Sequence, residues 1–230
     1  MASRGILYIV WNRSANSALE ATLARSMASV QRLHPDLPIH IHEAPREAGL
    51  LYKAGMFDLS PFEETLFLDA DTVVLDRLDF GFEAAARHGL ACCLCEAPYA
   101  RRYIHAVQGD LPEYNTGVLF FDRSQRTREL FTTWANLAPT TDSRLPYTGP
   151  GGTTKVMPSN DQCAFALALH QTHFNPYALP QNSNLRPAWQ HMVFGPVKVW
   201  HDYAPVPPAL EHFNKAMQPP RVLTFMKLAG

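Results

Sequence analysis

Cysteine is scarce in this chain: only four occur, three of them in Cys92-Cys93-Leu94-Cys95 and the fourth at Cys163. That spacing matches no zinc-ligand pattern such as paired C-x-x-C, and it implies no disulfide framework. Buried, reduced thiols are what remain, with strand alternation sending Cys93 and Cys95 to one face. An excess of either charge is missing too. Twenty Lys and Arg stand against 21 Asp and Glu, a net charge of −1. No broad field therefore recruits nucleic acid or an acidic membrane surface, and binding has to come from a local pocket. No apolar run approaches the roughly 18 residues of a membrane-spanning helix. The first residues, Met-Ala-Ser-Arg-Gly, open neither a leader's apolar stretch nor a cleavage site. A soluble, cytoplasmic protein is expected. No repeat or low-complexity linker divides the chain.

What is present suffices for one substantial core. A chain of 230 residues that is 47% hydrophobic fits one large domain better than two small ones. Residues 6–11 are a β-branched and aromatic run, 12–17 a polar turn, and Leu19, Leu23, Met27, Val30 and Leu33 repeat at helical spacing. Ser17 and Glu20 form a capping-box pair, and Pro35 and Pro38 close the segment before a short strand at 39–42. A helix carrying Lys53 is expected over 47–57, broken by Pro61 before a strand at 66–68. Strands at 89–96 and 116–121 follow, then a helix over 127–137 with Leu130, Phe131, Trp134 and Leu137 on one face. Residues 139–158 hold four prolines and three glycines and read as a long loop, a candidate acceptor lid. A helix opens at 159–162 and runs to about His170, and 197–200 is the clearest late strand. Strands alternating with helices predict an α/β fold with a mostly parallel central sheet flanked by helices.

The chemistry concentrates at Asp69-Ala70-Asp71. Leu66, Phe67 and Leu68 form an apolar run of buried-strand type, which should not lead into two unpaired charges without a counter-ion. Two carboxylates one residue apart at a strand end can both turn toward a hard divalent cation, Mn²⁺ or Mg²⁺. An acidic pair also ends many strands merely by solvating a turn.

Four segments together resemble the retaining glycosyltransferases of the GT-A fold, in particular the family 8-like group containing glycogenin and bacterial lipopolysaccharide galactosyltransferases. They are Asp69-Ala70-Asp71 after a strand, Asn115-Thr-Gly-Val-Leu-Phe-Phe, Asn160-Asp161-Gln162 opening a helix, and His201 after a late strand, in matching order over about residues 6–201. The resemblance implies a single GT-A domain that transfers a hexose, with retention, from a UDP-sugar to a carbohydrate, lipid-linked or protein hydroxyl. It implies Asp69, Asp71 and His201 as metal ligands. Asn12, with the backbone around Val10 and Trp11, would contact base and ribose, and Lys53, Ala70 and Asn115 would lie at the donor. Asp161 would bind sugar hydroxyls, and Gln162 would sit near the β face of the anomeric carbon. One departure stands out: the family's late histidine continues into a Gly- and Lys-containing motif, whereas here it reads Trp200-His201-Asp202-Tyr203-Ala204-Pro205. The phosphate-binding lysine is missing, and neither Lys198 nor Lys215 matches it by motif.

Two alternatives remain open on the sequence. Asp69-Ala70-Asp71-Thr72-Val73 also fits the nucleophile motif of haloacid-dehalogenase-like phosphatases, with Asp69 as nucleophile and Asp71 as acid. A nucleotide-sugar-binding protein without turnover is the other. Ser159-x-x-Gln162 can also exist purely as a helix cap.

Overall fold

The structure, a computed structural model, describes residues 4–11, 17–95, 101–103, 110–144, 146–148, 152–156, 160–190, 192–217 and 225–228. In chain order the elements begin with β1 (Arg4–Trp11), α1 (Ser17–Leu33), β2 (Ile39–Ala44) and a 3-10 turn (Leu50–Gly55) that runs into a single-turn α2 (Met56–Leu59). Next come β3 (Glu64–Leu68), β4 (Thr72–Val74), α3 (Asp79–His88), β5 (Leu90–Leu94), β6 (Arg101–Tyr103), β7 (Asp110–Pro112) and β8 (Tyr114–Asp122). Then follow α4 (Gln125–Leu137), β9 (Pro146–Thr148), β10 (Thr154–Val156) and α5 (Gln162–Gln171). The last are β11 (Tyr177–Leu179), a second 3-10 turn (Gln181–Ser183), β12 (Met192–Phe194), β13 (Val199–His201), α6 (Pro208–Ala216) and β14 (Phe225–Lys227).

Six strands form the central sheet in the order β11-β5-β8-β3-β1-β2. Five run the same way, and β8 runs against both of its neighbours. The expected mostly parallel sheet is therefore present. Its strands are apolar on both faces because helices cover both. Leu7 and Ile9 of β1, Phe67 of β3 and Leu119 and Phe121 of β8 pack with α4 and α5 through Phe131, Trp134 and Phe165. On the other face Ile6, Tyr8, Val10, Leu66, Val118 and Phe120 meet Leu23 and Val30 of α1 and Phe82 of α3. A third cluster, Val73, Leu185, Val193, Val197, Trp200 and Leu210, folds the late segments onto β4.

The expected helix over 47–57 is instead the 3-10 turn plus one α turn. Gly49 and Gly55 weaken helix propagation, and Ser60, extended at ψ 131° before Pro61, ends it. The stretch 139–158 is not wholly irregular, since β9 and β10 pair antiparallel within it. The pair spans a connection with Gly152 at φ 76°, a conformation that glycine adopts without strain. All four cysteines are buried, and none forms a disulfide. A register shift between Cys92 and Leu94 breaks the alternation of β5. Cys93 still packs with Ala91 in the α1/α3 cluster, whereas Cys95 lies 3.5 Å from the Gln162 amide on α5. Among the described residues no helix is long and apolar enough to cross a membrane.

Candidate active site

The carboxyl ends of β1 and β3 lie on one edge of the sheet, and the antiparallel β8 begins there, with Leu68 of β3 opposite Val118 of β8. Open α/β sheets place ligands outside this edge. A cavity of about 480 Å³ occupies it, lined by Trp11, Lys53, Asp69, Asp71, Asp161 and His201 among others.

Asp69 and Asp71 occupy the tight turn between β3 and β4. Asp69 N–H donates to the Gly117 carbonyl (2.8 Å), and Thr72 closes the turn by donating N–H (3.2 Å) and Oγ1–H (2.8 Å) to the Asp69 carbonyl. β13 pairs antiparallel with β4, setting His201 opposite Thr72, and Asp202 N–H donates to the Asp71 carbonyl at 3.0 Å. A residue 130 positions downstream of Asp71 is thereby brought to the acidic pair: His201 Nε2 lies 3.3 Å from Asp71 and 3.8 Å from Asp69. One ligand atom from each of the three falls within 4.8 Å of the others. Gly117 forms the floor. A Cβ there would collide with the His201 ring, lie 2.6 Å from Asp69 Oδ2 and 3.1 Å from Asn115 Oδ1.

Lys53, on the 3-10 turn, is buried with its Nζ 3.4 Å from Asp69 and 3.6 Å from Asp161. Burial works against its charge, but Asp161 and Asp69 outweigh it and hold the ammonium above its usual pKa. Burial likewise pushes the Asp69 carboxyl up, with Lys53 and His201 pulling only part of the way back and the Asp71 charge adding to the rise. For Asp71 burial is overcome by the hydrogen bond and charge of His201 and, further off, by Arg186, leaving it below the ordinary carboxylate value. Asp161, nearly fully buried, accepts from Thr116 Oγ1 at 2.5 Å, and its carbonyl accepts from the Trp134 indole at 3.1 Å. Gln162 Nε2 donates to Glu113 at 3.3 Å.

Most of the expected residues meet in this cavity: Trp11, Lys53, Asp69, Ala70, Asp71, Asn115, Asp161, Gln162 and His201 all line it. Val10 does not. Strand alternation turns its side chain into the α1/α3 core, and its neighbours Ile9 and Trp11 line the cavity instead. Asn12 lies outside the described residues, as does Ser159. α5 starts at Gln162, whose N–H donates to Asn160 Oδ1 (3.1 Å), so Asn160 satisfies the donor assigned to a capping box. Among the described residues of 139–158, none lines the cavity. Lys198 Nζ is held by Asp76 (3.2 Å) and the Arg77 carbonyl (3.0 Å), away from the site, and Lys215 does not line it.

Several lining residues escaped the sequence reading: Thr116, Gly117, Arg186 and Tyr203. Gly117 carried a signal, since a glycine inside an apolar strand marks a close approach. Arg186 carried none. It is placed by the bridge between Leu185 and Trp200, one residue short of His201.

No protein-family profile matches the chain, and no curated protein matches its sequence. Solved structures do. Glycosyltransferase GlyE of Streptococcus pneumoniae TIGR4, in its apo form, superposes with a TM-score of 0.54 at 14% identity, over 81% of this chain and 47% of that one. Mouse xyloside xylosyltransferase 1 gives 0.55 at 15% identity, over 89% and 100%. Galactosyltransferase LgtC, solved with donor and acceptor sugar analogues, gives 0.55 at 15%, over 96% and 97%. The chain thus spans about half the length of GlyE and nearly the full length of the other two. Its architecture is that of the GT-A glycosyltransferases.

Proposed function

We propose that this chain is a metal-dependent glycosyltransferase, a single GT-A domain that moves a hexose from a UDP-sugar to a hydroxyl of a carbohydrate, lipid-linked or protein acceptor. The observation that carries the reading is the convergence of Asp69, Asp71 and His201 around Gly117 in a cavity of ligand size. A Cβ would fill that cradle, and the glycine keeps it open. Two carboxylates and one imidazole form a donor set suited to Mn²⁺, with Mg²⁺ as the harder alternative. A bound dication supplies stabilisation of the negative charge that develops on the departing nucleotide diphosphate.

The chain's own residues do the rest. Among the described residues, three carboxylates, Asp69, Asp71 and Asp161, share the cavity with two fixed cations, Lys53 and Arg186. Lys53 lies between Asp69 and Asp161, so it neutralises them and is poorly placed to grip phosphate. Arg186 is the other cation of the lining, and we assign to it the role of the missing lysine, contact with the diphosphate. Trp11 lines the cavity with a buried indole N–H that has no partner among the described residues, a donor available to ribose or base. Asn115 Oδ1 is committed to Gly117 N–H and Asn184, so only its NH₂ end can serve a sugar. With Nε2 of Gln162 held by Glu113, its carbonyl oxygen is the end that can face an electron-poor anomeric carbon.

We infer retention by front-face attack: the bond from C1 to the phosphate oxygen breaks, the acceptor oxygen bonds C1 from the same face, and the leaving oxygen takes the acceptor's proton. Among the described residues, Asp161 is the only carboxylate lining the cavity outside the acidic pair. It is committed as acceptor to Thr116 and as counter-ion to Lys53, which makes it a poor nucleophile for a double displacement. Screening UDP-sugars for Mn²⁺-dependent release of UDP, with Asp71→Ala as control, tests the assignment. Full turnover in Asp71→Ala or in excess chelator would overturn it. Phosphate released from generic esters would favour the phosphatase alternative, and donor binding without hydrolysis or transfer the non-catalytic one.

A further inference from the structure

Asn115 comes from β8, Asn184 from the end of the second 3-10 turn and His201 from β13, yet their side chains form one buried line. The oxygen and nitrogen ends of an amide, and the two neutral forms of an imidazole, have nearly the same shape, so bonding partners must decide between them. One member of this line is unambiguous. A backbone N–H can only donate, and that of Gly117 points at Asn115 at 2.9 Å, which makes the receiving end the Asn115 oxygen. The same oxygen lies 2.9 Å from Asn184, so Asn184 presents its NH₂ there. Its other end, the oxygen, then faces His201 Nδ1 at 2.9 Å. An acceptor at that place requires a proton on Nδ1. In the neutral ring Nε2 is consequently bare, and Nε2 is the nitrogen that lies 3.3 Å from Asp71.

We propose that Asn184 is a positioning residue: relaying the polarity of the Gly117 N–H through Asn115, it holds His201 in the Nδ1-protonated tautomer, so that Nε2 offers its lone pair to a divalent cation between Asp69 and Asp71. The inference rests on the metal-binding reading above. All three side chains are almost fully buried, so water is poorly placed to substitute for a lost member of the line. The backbone supports the arrangement, because Leu185 N–H donates to Val199 (2.8 Å) and His201 N–H returns to Leu185 (2.8 Å), which fixes Asn184 beside the ring. A free imidazole favours the opposite tautomer, so without this acceptor the ring's bare nitrogen would turn away from the carboxylates. A partner on the far nitrogen of a ligating histidine both orients the ring and raises its basicity.

Two substitutions separate the relay from simple packing. Asn184→Leu fills similar space and cannot accept a hydrogen bond. Asn184→Asp keeps the acceptor, although its second oxygen opposes that of Asn115 and lowers the melting temperature. In ¹⁵N-histidine-labelled protein without metal, at a pH high enough for the His201 ring to be neutral, two-bond ¹H–¹⁵N spectra should show His201 protonated at Nδ1 in the wild type and in Asn184→Asp, and shifted toward Nε2 protonation in Asn184→Leu. Mn²⁺ affinity by calorimetry should fall about 10–100-fold in Asn184→Leu, the range seen for lost outer-shell partners, and far less in Asn184→Asp. A neutral wild-type ring protonated at Nε2 and bare at Nδ1 overturns the proposal even if Asn184→Leu does not fold. So does an Asn184→Leu protein with wild-type tautomer and affinity, or an Asn184→Asp protein that loses both. If the tautomers behave as stated but no variant binds Mn²⁺, the relay stands and the metal reading falls.

Discussion

Gly117→Ala adds one methyl group at the point where the candidate metal ligands converge. The glycine lies within β8 at a φ that alanine adopts without strain, so the backbone should tolerate the change and the effect should fall on the side chains around it. The new Cβ would lie 2.6 Å from Asp69 Oδ2, whereas ordinary contact begins at 3.4 Å; the carboxylate has to retreat by the difference, about 0.8 Å. The His201 ring is closer still and has to move the other way. Overpacking a buried site costs about 1–3 kcal/mol, a drop that urea unfolding can read without abolishing the fold. The functional loss should be larger, because a misplacement near 1 Å is enough for about a 100-fold loss in rate. Calorimetric titration with Mn²⁺ and an assay of Mn²⁺-dependent UDP release should therefore both collapse in a protein that remains folded by circular dichroism. A folded Gly117→Ala variant with wild-type Mn²⁺ affinity would show that Asp69 and His201 do not share an ion, and the glycine would then keep no cradle open.

Arg186→Ala should weaken UDP binding in the presence of Mn²⁺ by at least about tenfold, as expected for a charge-assisted hydrogen bond of about 1.5–3 kcal/mol. Arg186→Lys should recover only part of it, and Lys198→Ala should change nothing, since Asp76 holds that ammonium elsewhere; equal UDP affinity in Arg186→Ala and wild type would refute the assignment. Trp134→Ala should cost about 3–5 kcal/mol in urea unfolding, because the indole is fully buried against Phe131 and Phe165, while Trp134→Phe, which loses chiefly the bond to the Asp161 carbonyl, should cost about 1 kcal/mol. A loss below about 1 kcal/mol in Trp134→Ala would contradict that packing. Burial, with the Arg77 charge next, holds the His34 ring below its ordinary pKa of 6.5, and its Nε2 accepts from Leu78 N–H at 3.0 Å. Below pH 6.5 the unfolded chain takes up a proton that the folded one refuses, so stability should fall on acidification until the folded pKa is reached, by at most about 1.4 kcal/mol per pH unit. His34→Gln should remove that component from the difference between denaturation at about pH 7 and about pH 5.5, and an unchanged pH dependence would refute it.

How much of this was legible in the sequence depended on whether a residue's environment is set by near neighbours. The runs in β1, β3 and β8 are apolar enough to announce buried strands by themselves, and the acidic pair at the end of β3 is conspicuous because charges there contradict the burial before them. Lys53 was found, but its helix was not: Gly49, Gly55 and Ser60-Pro61 each cost a helix little, and together they reduce it to a 3-10 turn and one α turn. The hairpin of β9 and β10 was hidden because its strands are only three residues each and its composition is that of a loop. Asn184 and Arg186 carried no local mark at all. Their significance comes from the bridge of Leu185 to Trp200, a contact between segments that look irregular when read along the chain.

The one antiparallel strand of the sheet explains why so much of the site depends on pairing. Had β8 run parallel to β3, its carboxyl end, Phe121-Asp122, would meet the acidic turn, and Asn115, Thr116 and Gly117 would lie at the far edge. Reversed, the strand brings its opening residues to Asp69, and each serves the site differently. Asn115 anchors the line to His201, Thr116 holds Asp161, and Gly117 leaves space. β13 repeats the device against β4, so that His201 arrives beside Asp71 through three residues of pairing rather than through any nearby sequence. Both pairings are secured from behind by core that has no chemistry of its own, Phe120 on Phe82 in one case and Val73 with Trp200 in the other. The geometry of the ligand set is therefore a property of strand register: slipping β13 by one residue against β4 would turn His201 to the opposite face and remove the third ligand while leaving the sheet's hydrogen bonds intact.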